Sequence, residues 1–445
     1  MSLSQALLVF VVMAPGAVFA ALASLWLLGW VSSERVLSRI TGLTFTACLF
    51  GLAGMLWTLA TTHASAITVT FGSWFAVHEY RFPLVLVADR LSLPFLAMTV
   101  VLSGLIGQFS ATYLHRESGF FRFFLLLHLF AFGSLLAFAA GSFDLLIAGW
   151  ELVGITSVLL IAFFDRRPAP VENGLHVFGI YRACDIGLLL GVFALHNWAG
   201  NGSFAAGMPH LAATQATVVC LLLLLAAAGK GAQIPFSGWL PRAMEGPTPS
   251  SAIFYGAISI HAGAYLLLRA QPLLAEAPMA GIAVIAIGTA TAIYGTIAGR
   301  ASADVKTSLA FASLTQVGVI FVEIGFGWKS VAIAHVLGHA LVRTLQFLRA
   351  PSMLHDYRRM RSAMGGDVSY GRAEDLLPDR VSRWLYRWAF DRGHLDTILD
   401  RWFIHPLYEI SRLFTKLDGI GIAARSRQAT EPAISLPSHA EREVE

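Results

Sequence analysis

The chain has 445 residues, 56% of them hydrophobic and 13% charged, with a mean hydropathy of +0.66 and a formal net charge of +4. Apolar runs recur from one end to the other, which excludes a soluble globular domain and describes an all-α polytopic membrane protein. A positive charge this small, placed in short loops, excludes a nucleic-acid-binding role. Cys48, Cys184 and Cys220 lie in apolar runs without metal-ligand spacing, so they read as small core residues and not as a disulfide framework.

Windows of span length predict about eleven transmembrane helices, near residues 5–30, 40–61, 91–112, 119–139, 143–164, 176–197, 214–240, 248–270, 279–300, 304–326 and 330–350. The first is followed by a charged segment without a small-residue cleavage signal and is expected to persist as a helix. Between the second and third, ITVTFGSWFAVHEYRFPLVLVADR alternates around Gly72 and predicts a small β-hairpin at the membrane surface. Lys and Arg gather in one set of loops: Arg35 and Arg39, Arg116 and Arg122, Arg166 and Arg167, Arg242, Arg300 and Lys306. With an odd number of spans, this bias puts the N-terminus and the hairpin outside and the C-terminal tail in the cytoplasm.

The apolar, membrane-spanning part is expected to occupy 1–350, a cytoplasmic or interfacial amphipathic segment 351–425, and a disordered tail 426–445. Trp384, Leu385, Trp388, Ala389, Leu395, Ile398, Leu399, Trp402 and Phe403 recur at helical spacing among Arg, Lys and Asp. Two readings stand for that helix, a dock for a soluble partner or a face resting on lipid headgroups.

Ionisable groups inside the apolar runs carry the functional signal, because a lysine or carboxylate at mid-membrane depth is retained only where it is paired or wetted. Lys230 lies in VVCLLLLLAAAGKGAQIPFSGWL, just before the helix-breaking Pro235 and the run Glu245-Gly-Pro-Thr-Pro249, which suggests a broken helix over a hydrated interior. Glu151, on another span, can form a pair with Lys230 in which each group's protonation depends on the other's. Arg182 and Asp185, three apart, either neutralise one another or take part in the same function. His335, His339 and Arg343 are spaced by four and share one helix face; they read as packing glue or, preferably, as a proton relay. For His261, structural and relay roles both remain.

The segments GWELVGITSVLLIAFF, YRACDIGLLLG, GKGAQIPFSGWLPRAMEGPTPSSA and DVKTSLAFASLTQVGVI resemble the antiporter-like subunits of respiratory complex I, of the NuoL type, and of Mrp cation/proton antiporters. The resemblance implies that Glu151 and Lys230 form a coupled charge pair and that Lys306, His335 and His339 continue a polar axis from it. The chain departs from the respiratory pattern at Tyr255, where that family has a histidine, and at Arg343, where it has a lysine. FYGAISIHAGAYLLLR, HALVRTLQFLRAPS and the amphipathic tail are similar to the DabB membrane subunits of DAB inorganic-carbon accumulation complexes. That likeness implies a subunit of the bacterial inner membrane that conducts protons or another cation to energise CO2 hydration to bicarbonate. The chemistry would be carried out by a large cytoplasmic DabA-like, carbonic-anhydrase-related zinc protein. Membrane lipid is the other expected partner, and catalysis, cofactor and metal are expected outside this chain. The alternative is a proton-pumping subunit of a respiratory complex or a cation/proton antiporter.

Overall fold

The computed structural model describes residues 1–30, 32–77, 80–204, 210–302, 304–364, 378–406, 409–410 and 412–416. Its helices are α1 (Leu3–Leu27), α2 (Glu34–Thr62), α3 (Ser92–Tyr113), α4 (Phe120–Ala139), α5 (Phe143–Ile161), α6 (Pro168–Ala199), α7 (Ala213–Lys230), α8 (Thr248–Arg269), α9 (Pro278–Arg300), α10 (Val305–Gly325), α11 (Lys329–Met364) and α12 (Asp379–Phe390). Strands β1 (Ala66–Val77) and β2 (Tyr80–Asp89) lie between α2 and α3. Among the described residues, eleven helices are long and apolar enough to cross a bilayer, as expected from the sequence.

Local chemistry sets several of the helix starts. Ser2 and Gln5 form a reciprocal capping box at α1, and Ser142 and Asp304 accept from Leu145 and Thr307 N–H to open α5 and α10. Apolar side chains such as Leu43, Trp57 and Phe193 face outward, the arrangement that suits a lipid solvent. α8 is buried along its whole length and forms the middle of the bundle. Its Tyr265 ring meets Phe95 and Phe138 at 4.9 and 4.8 Å.

The hairpin pairs Ala66 with Asp89 and Val77 with Tyr80. Gly72 is a bulge within β1, at φ 102°, and not the end of the hairpin; residues 78–79, between the paired Val77 and Tyr80, are outside the described residues. Several hydrogen bonds tie the hairpin to the rest of the bundle. Gly141 N–H donates to the Val85 carbonyl at 2.8 Å, Gln5 Nε2 to Thr68 at 2.9 Å, and Arg269 Nη1 to Asp89 Oδ2 at 2.5 Å. Because α8 reaches the hairpin with its C-terminal Arg269, its N-terminal end lies at the opposite end of the bundle.

α11 runs for 36 residues to Met364, about 54 Å at the α-helical rise, and its part apolar enough to span a bilayer is Lys329–Ala350. The amphipathic pattern does not form one helix: α12 ends at Phe390, and Arg392, Gly393 and His394 all take left-handed φ values of 51°, 62° and 58°. Trp388 of α12 packs edge-on against Tyr294 of α9 at 5.9 Å, while Trp384, Tyr386 and Phe390 remain exposed. By compactness the chain divides into Met1–Asp396 and Thr397–Glu445. The described part of the second unit contains a π-helical turn at Asp400–Ile404 and an Arg412–Glu409 pair at 2.7 Å. The stretch 426–445, expected to be disordered, lies outside the described residues.

Candidate functional site

Lys230 is the last residue of α7 and is 1% exposed. A helix C-terminus carries partial negative charge, which favours an ammonium there. Its Nζ sits 4.2 Å from the Tyr181 ring centroid and 4.9 Å from that of Trp150, and donates to the Trp150 carbonyl at 3.4 Å. A desolvated cation–π contact is worth about 2 kcal/mol, so two rings and a carbonyl offset much of the roughly 3 kcal/mol that a central lysine costs on insertion. Gly154 makes the space: a Cβ there would lie 2.9 Å from Lys230 Nζ and 3.6 Å from Arg182 Nη2. Trp150 and Gly154 occupy the middle of the 19-residue α5, which puts Lys230 at mid-span.

Among the described residues no salt bridge joins Glu151 directly to Lys230. Glu151 bonds to Arg182, and Arg182 also holds Asp185 at 2.8 Å. Trp150 Nε1 donates to Asp185 at 2.5 Å. Trp150 therefore touches Lys230 with its ring and carbonyl and Asp185 with its indole N–H. Glu151, Asp185, Arg182 and Lys230 sum to zero charge when all four are ionised, an arrangement a low-dielectric interior tolerates far better than an isolated charge.

Past Lys230 the chain leaves the helix, and side chains take up freed backbone groups. Trp239 Nε1 donates to Gly229 O at 2.8 Å, Gln233 Nε2 to Gly231 O at 2.8 Å, and Ile234 N–H to Thr291 Oγ1 at 3.0 Å. Edge-on ring contacts run from Tyr181 to Trp239 at 5.2 Å and from Trp239 to Tyr255 at 5.5 Å. The buried hydroxyls of Ser237, Tyr255 and Ser259 have no protein hydrogen-bond partner. Ser237 belongs to the stretch that follows Lys230, and Tyr255 and Ser259 precede His261 in α8.

A π-helical segment, Ala252–Ala257, interrupts α8 just before His261. His261 Nδ1 faces the Ala257 carbonyl, which only accepts, so Nδ1 carries the proton. His261 Nε2 is then the acceptor for His339 Nδ1 at 2.9 Å, and His339 Nε2 is left as a buried nitrogen without a protein partner. A neutral histidine pair thus has a defined sense, with one open basic nitrogen at its α11 end.

The row of His335, His339 and Arg343 divides in the fold. His335 turns to α10, with Nδ1 2.8 Å from Glu323 Oε1 and Nε2 2.9 Å from Gln316 Oε1, while His339 turns to α8. Arg343 is 8% exposed, packs its stem on Gly256, and has no carboxylate within salt-bridge range among the described residues. Lys306 is displaced from the axis expected for it. It is the second residue of α10 and donates to Met244 and Gly246 carbonyls at 3.2 and 3.1 Å, about 15 Å along the helix from Gln316. Its position is the bundle end away from the hairpin, where it clamps the proline-rich turn.

Sequence reading missed Trp150, Tyr181 and Gly154, whose types give no sign of their role, and also Gln316 and Glu323. The last two were accessible: they lie seven apart on α10, and a glutamate in an apolar span is itself a functional signal.

Residues 140–365 match the family described as NADH:quinone oxidoreductase/Mrp antiporter, TM, and residues 74–124 match NADH-ubiquinone oxidoreductase (complex I), chain 5 N-terminus. The chain is 32% identical over 307 residues to NADH-ubiquinone oxidoreductase chain 5 of Schizophyllum commune, covering 68% of this chain and 45% of that protein. It is 36% identical over 272 residues to NADH-quinone oxidoreductase subunit L of Mycobacterium tuberculosis, covering 60% of this chain and 43% of that protein. The match therefore spans less than half the length of these relatives. A solved Mrp complex from a Dietzia species aligns with a TM-score of 0.63 at 26% identity, over 76% of this chain and 37% of that one. The membrane-bound sulfane sulfur reductase, an archaeal respiratory membrane complex, aligns with a TM-score of 0.66 over 78% and 70% of the two chains. At 21% identity that second likeness concerns the fold alone.

Proposed function

This chain belongs to the NADH:quinone oxidoreductase/Mrp antiporter transmembrane family, and on that premise we propose that it is a proton-translocating subunit of a larger membrane complex. The observation that carries the reading is Lys230, buried at mid-span against Trp150 and beside a pair of carboxylates bridged by Arg182. A lysine held by ring faces and a carbonyl, with no ion pair of its own, is poised to gain or lose its proton as Arg182 shifts between Glu151 and Asp185. On losing the proton it passes it toward the unpartnered hydroxyls of Ser237, Tyr255 and Ser259, where water completes the hydrogen bonds, and on to the His261–His339 pair. His335, between Glu323 and Gln316, continues the path on the α10 side. Arg343 biases protonation of the adjacent histidine by its charge.

A second reading places the subunit beside a DabA-like, zinc-containing soluble protein, with proton flow driving CO2 hydration one way. The exposed Trp384, Tyr386 and Phe390 of α12, anchored to the bundle through Trp388, support a docking role for that face. Under either reading, the loop arginines favour a bacterial inner-membrane protein with the hairpin outside. Purification of the native complex in mild detergent separates the two readings. Several redox or antiporter subunits in the complex support the first, and one large soluble zinc protein supports the second. Recovery of the chain as a homogeneous species that carries no proton current in liposomes would contradict both.

A further inference from the structure

A second ionisable cluster lies on the same α5–α6 seam, toward the hairpin. Asp144 of α5 is 3% exposed and accepts from two groups. His196 Nε2 of α6 lies 2.9 Å from its Oδ1, and the Tyr80 hydroxyl of β2 donates to that oxygen at 2.8 Å. The Tyr80 and His196 rings are 4.4 Å apart. Because Asp144 Oδ1 is an acceptor, Nε2 carries the proton of the neutral imidazole, and the buried Nδ1, which has no protein partner, is the basic nitrogen. Burial and the Asp144 carboxylate push the Tyr80 phenol up to about 12, so it stays a donor at neutral pH.

These three residues line a cavity of about 590 Å³ under the hairpin. Its lining continues inward to Ile147 and Leu189, each four residues, one helical turn, from Glu151 and Asp185. The cavity thus spans from the hairpin to within a turn of the charges around Lys230. His196 faces Asp144 from α5 and Tyr80 from β2, and the following segment, Asn201 to Phe204, brings no ionisable group.

We propose that Asp144, His196 and Tyr80 form a proton-exchange port, through which water in the hairpin-side cavity delivers protons to, or collects them from, the Arg182–Lys230 cluster. The proposal rests on the proton-translocating reading of that cluster. In the loading step the His196 ring swings to expose Nδ1 to the cavity, and a hydronium ion gives its proton to Nδ1 and leaves as water. The imidazolium formed is stabilised by Asp144 through Nε2–H, and release to the next water reverses the step. Tyr80 fixes the carboxylate from the hairpin without entering the exchange.

The test compares wild type with His196→Gln and Asp144→Asn in the full chain, reconstituted with any partner it retains. Flux is driven by a potassium diffusion potential at equal pH on both faces. Glutamine can still donate to Asp144 but does not titrate, so a purely structural latch survives His196→Gln. The expected result is a wild-type flux with an inflection between about pH 5 and 8. His196→Gln abolishes that inflection and lowers flux at least fivefold. Asp144→Asn also lowers flux, because the imidazolium loses its counter-charge. Unchanged flux and profile in His196→Gln overturn the port. If wild type carries no Lys230-dependent flux, the translocation reading fails, and nitrogen-15 chemical shifts decide the port separately. A His196 resonance that responds to pH supports it; one that does not respond overturns it.

Discussion

Lys230 occupies space that any side chain at residue 154 would invade. A Gly154→Ala methyl would sit 2.9 Å from Nζ, and since Nζ ends a flexible stem, it moves aside without unfolding the bundle. Proton flux is expected to fall severalfold with little change in thermal stability; an equal loss of both would assign Gly154 to packing alone. Arg182 bridges two carboxylates, so Arg182→Ala leaves like charges facing each other at mid-span. The double variant Arg182→Ala/Glu151→Ala is expected to be more stable than Arg182→Ala alone by about 1–2 kcal/mol, after discounting for partial exposure. Simple additivity in a thermal-melt cycle would show that the pair does not couple. At the histidines, Gln at 261 and at 339 should together cost no more flux than either alone, because both belong to one hydrogen-bonded unit. Multiplying losses would indicate two independent routes. His128 provides the contrast: it is buried, stacked on Phe45 at 5.5 Å and bonded to Thr41 at 3.1 Å, so it braces α2 against α4.

Among elements, the hairpin is joined to α8 by Asp89 and Arg269. Burial pushes the Asp89 carboxyl up, but Arg269 and the Ser92 N–H and hydroxyl outweigh it and hold it below the usual range. A depressed carboxylate contributes stability that is fully present above its unfolded value of about 4 and is lost as pH falls through the lower folded value. Asp89→Asn should destabilise the joint by about 2 kcal/mol near neutral pH, with the difference from wild type shrinking in acid. A difference that does not shrink as pH falls below about 4 would contradict the ionic origin of the joint. Hydrophobic runs announced all eleven spans, because each must satisfy its own backbone and cover itself with apolar groups. The same logic could not locate the α12 break, because Arg392 and His394 take left-handed conformations that their types do not signal. It also merged His335 with His339, since spacing of four gives a common helix face but not which neighbour each ring meets. For Lys230 the sequence was informative about burial and helix breakage, whereas the carboxylate it faces depends on how α5 and α6 are packed, which spacing does not encode. Deleting residues from 378 onward tests α12 as a dock. Loss of a co-purifying partner with the spans still folded supports docking, and undiminished recovery leaves α12 resting on lipid.

At the scale of the whole molecule, ionisable groups are arranged between two ends that differ in kind. The hairpin end holds the Asp144–His196 pair over a cavity, the far end holds Lys306 against the proline-rich turn, and the mid-span charges and histidines lie between. α8, buried along its length and interrupted by its π-helical segment, separates the Lys230 side from the α11 side and carries His261 between them. The most direct measurement of the account's central claim is proton flux in liposomes containing equal amounts of folded wild type and Lys230→Ala. Removing the one mid-span lysine is expected to lower flux at least tenfold while the protein reconstitutes and melts like wild type. Wild-type flux from Lys230→Ala would contradict the assignment of this lysine to the proton path.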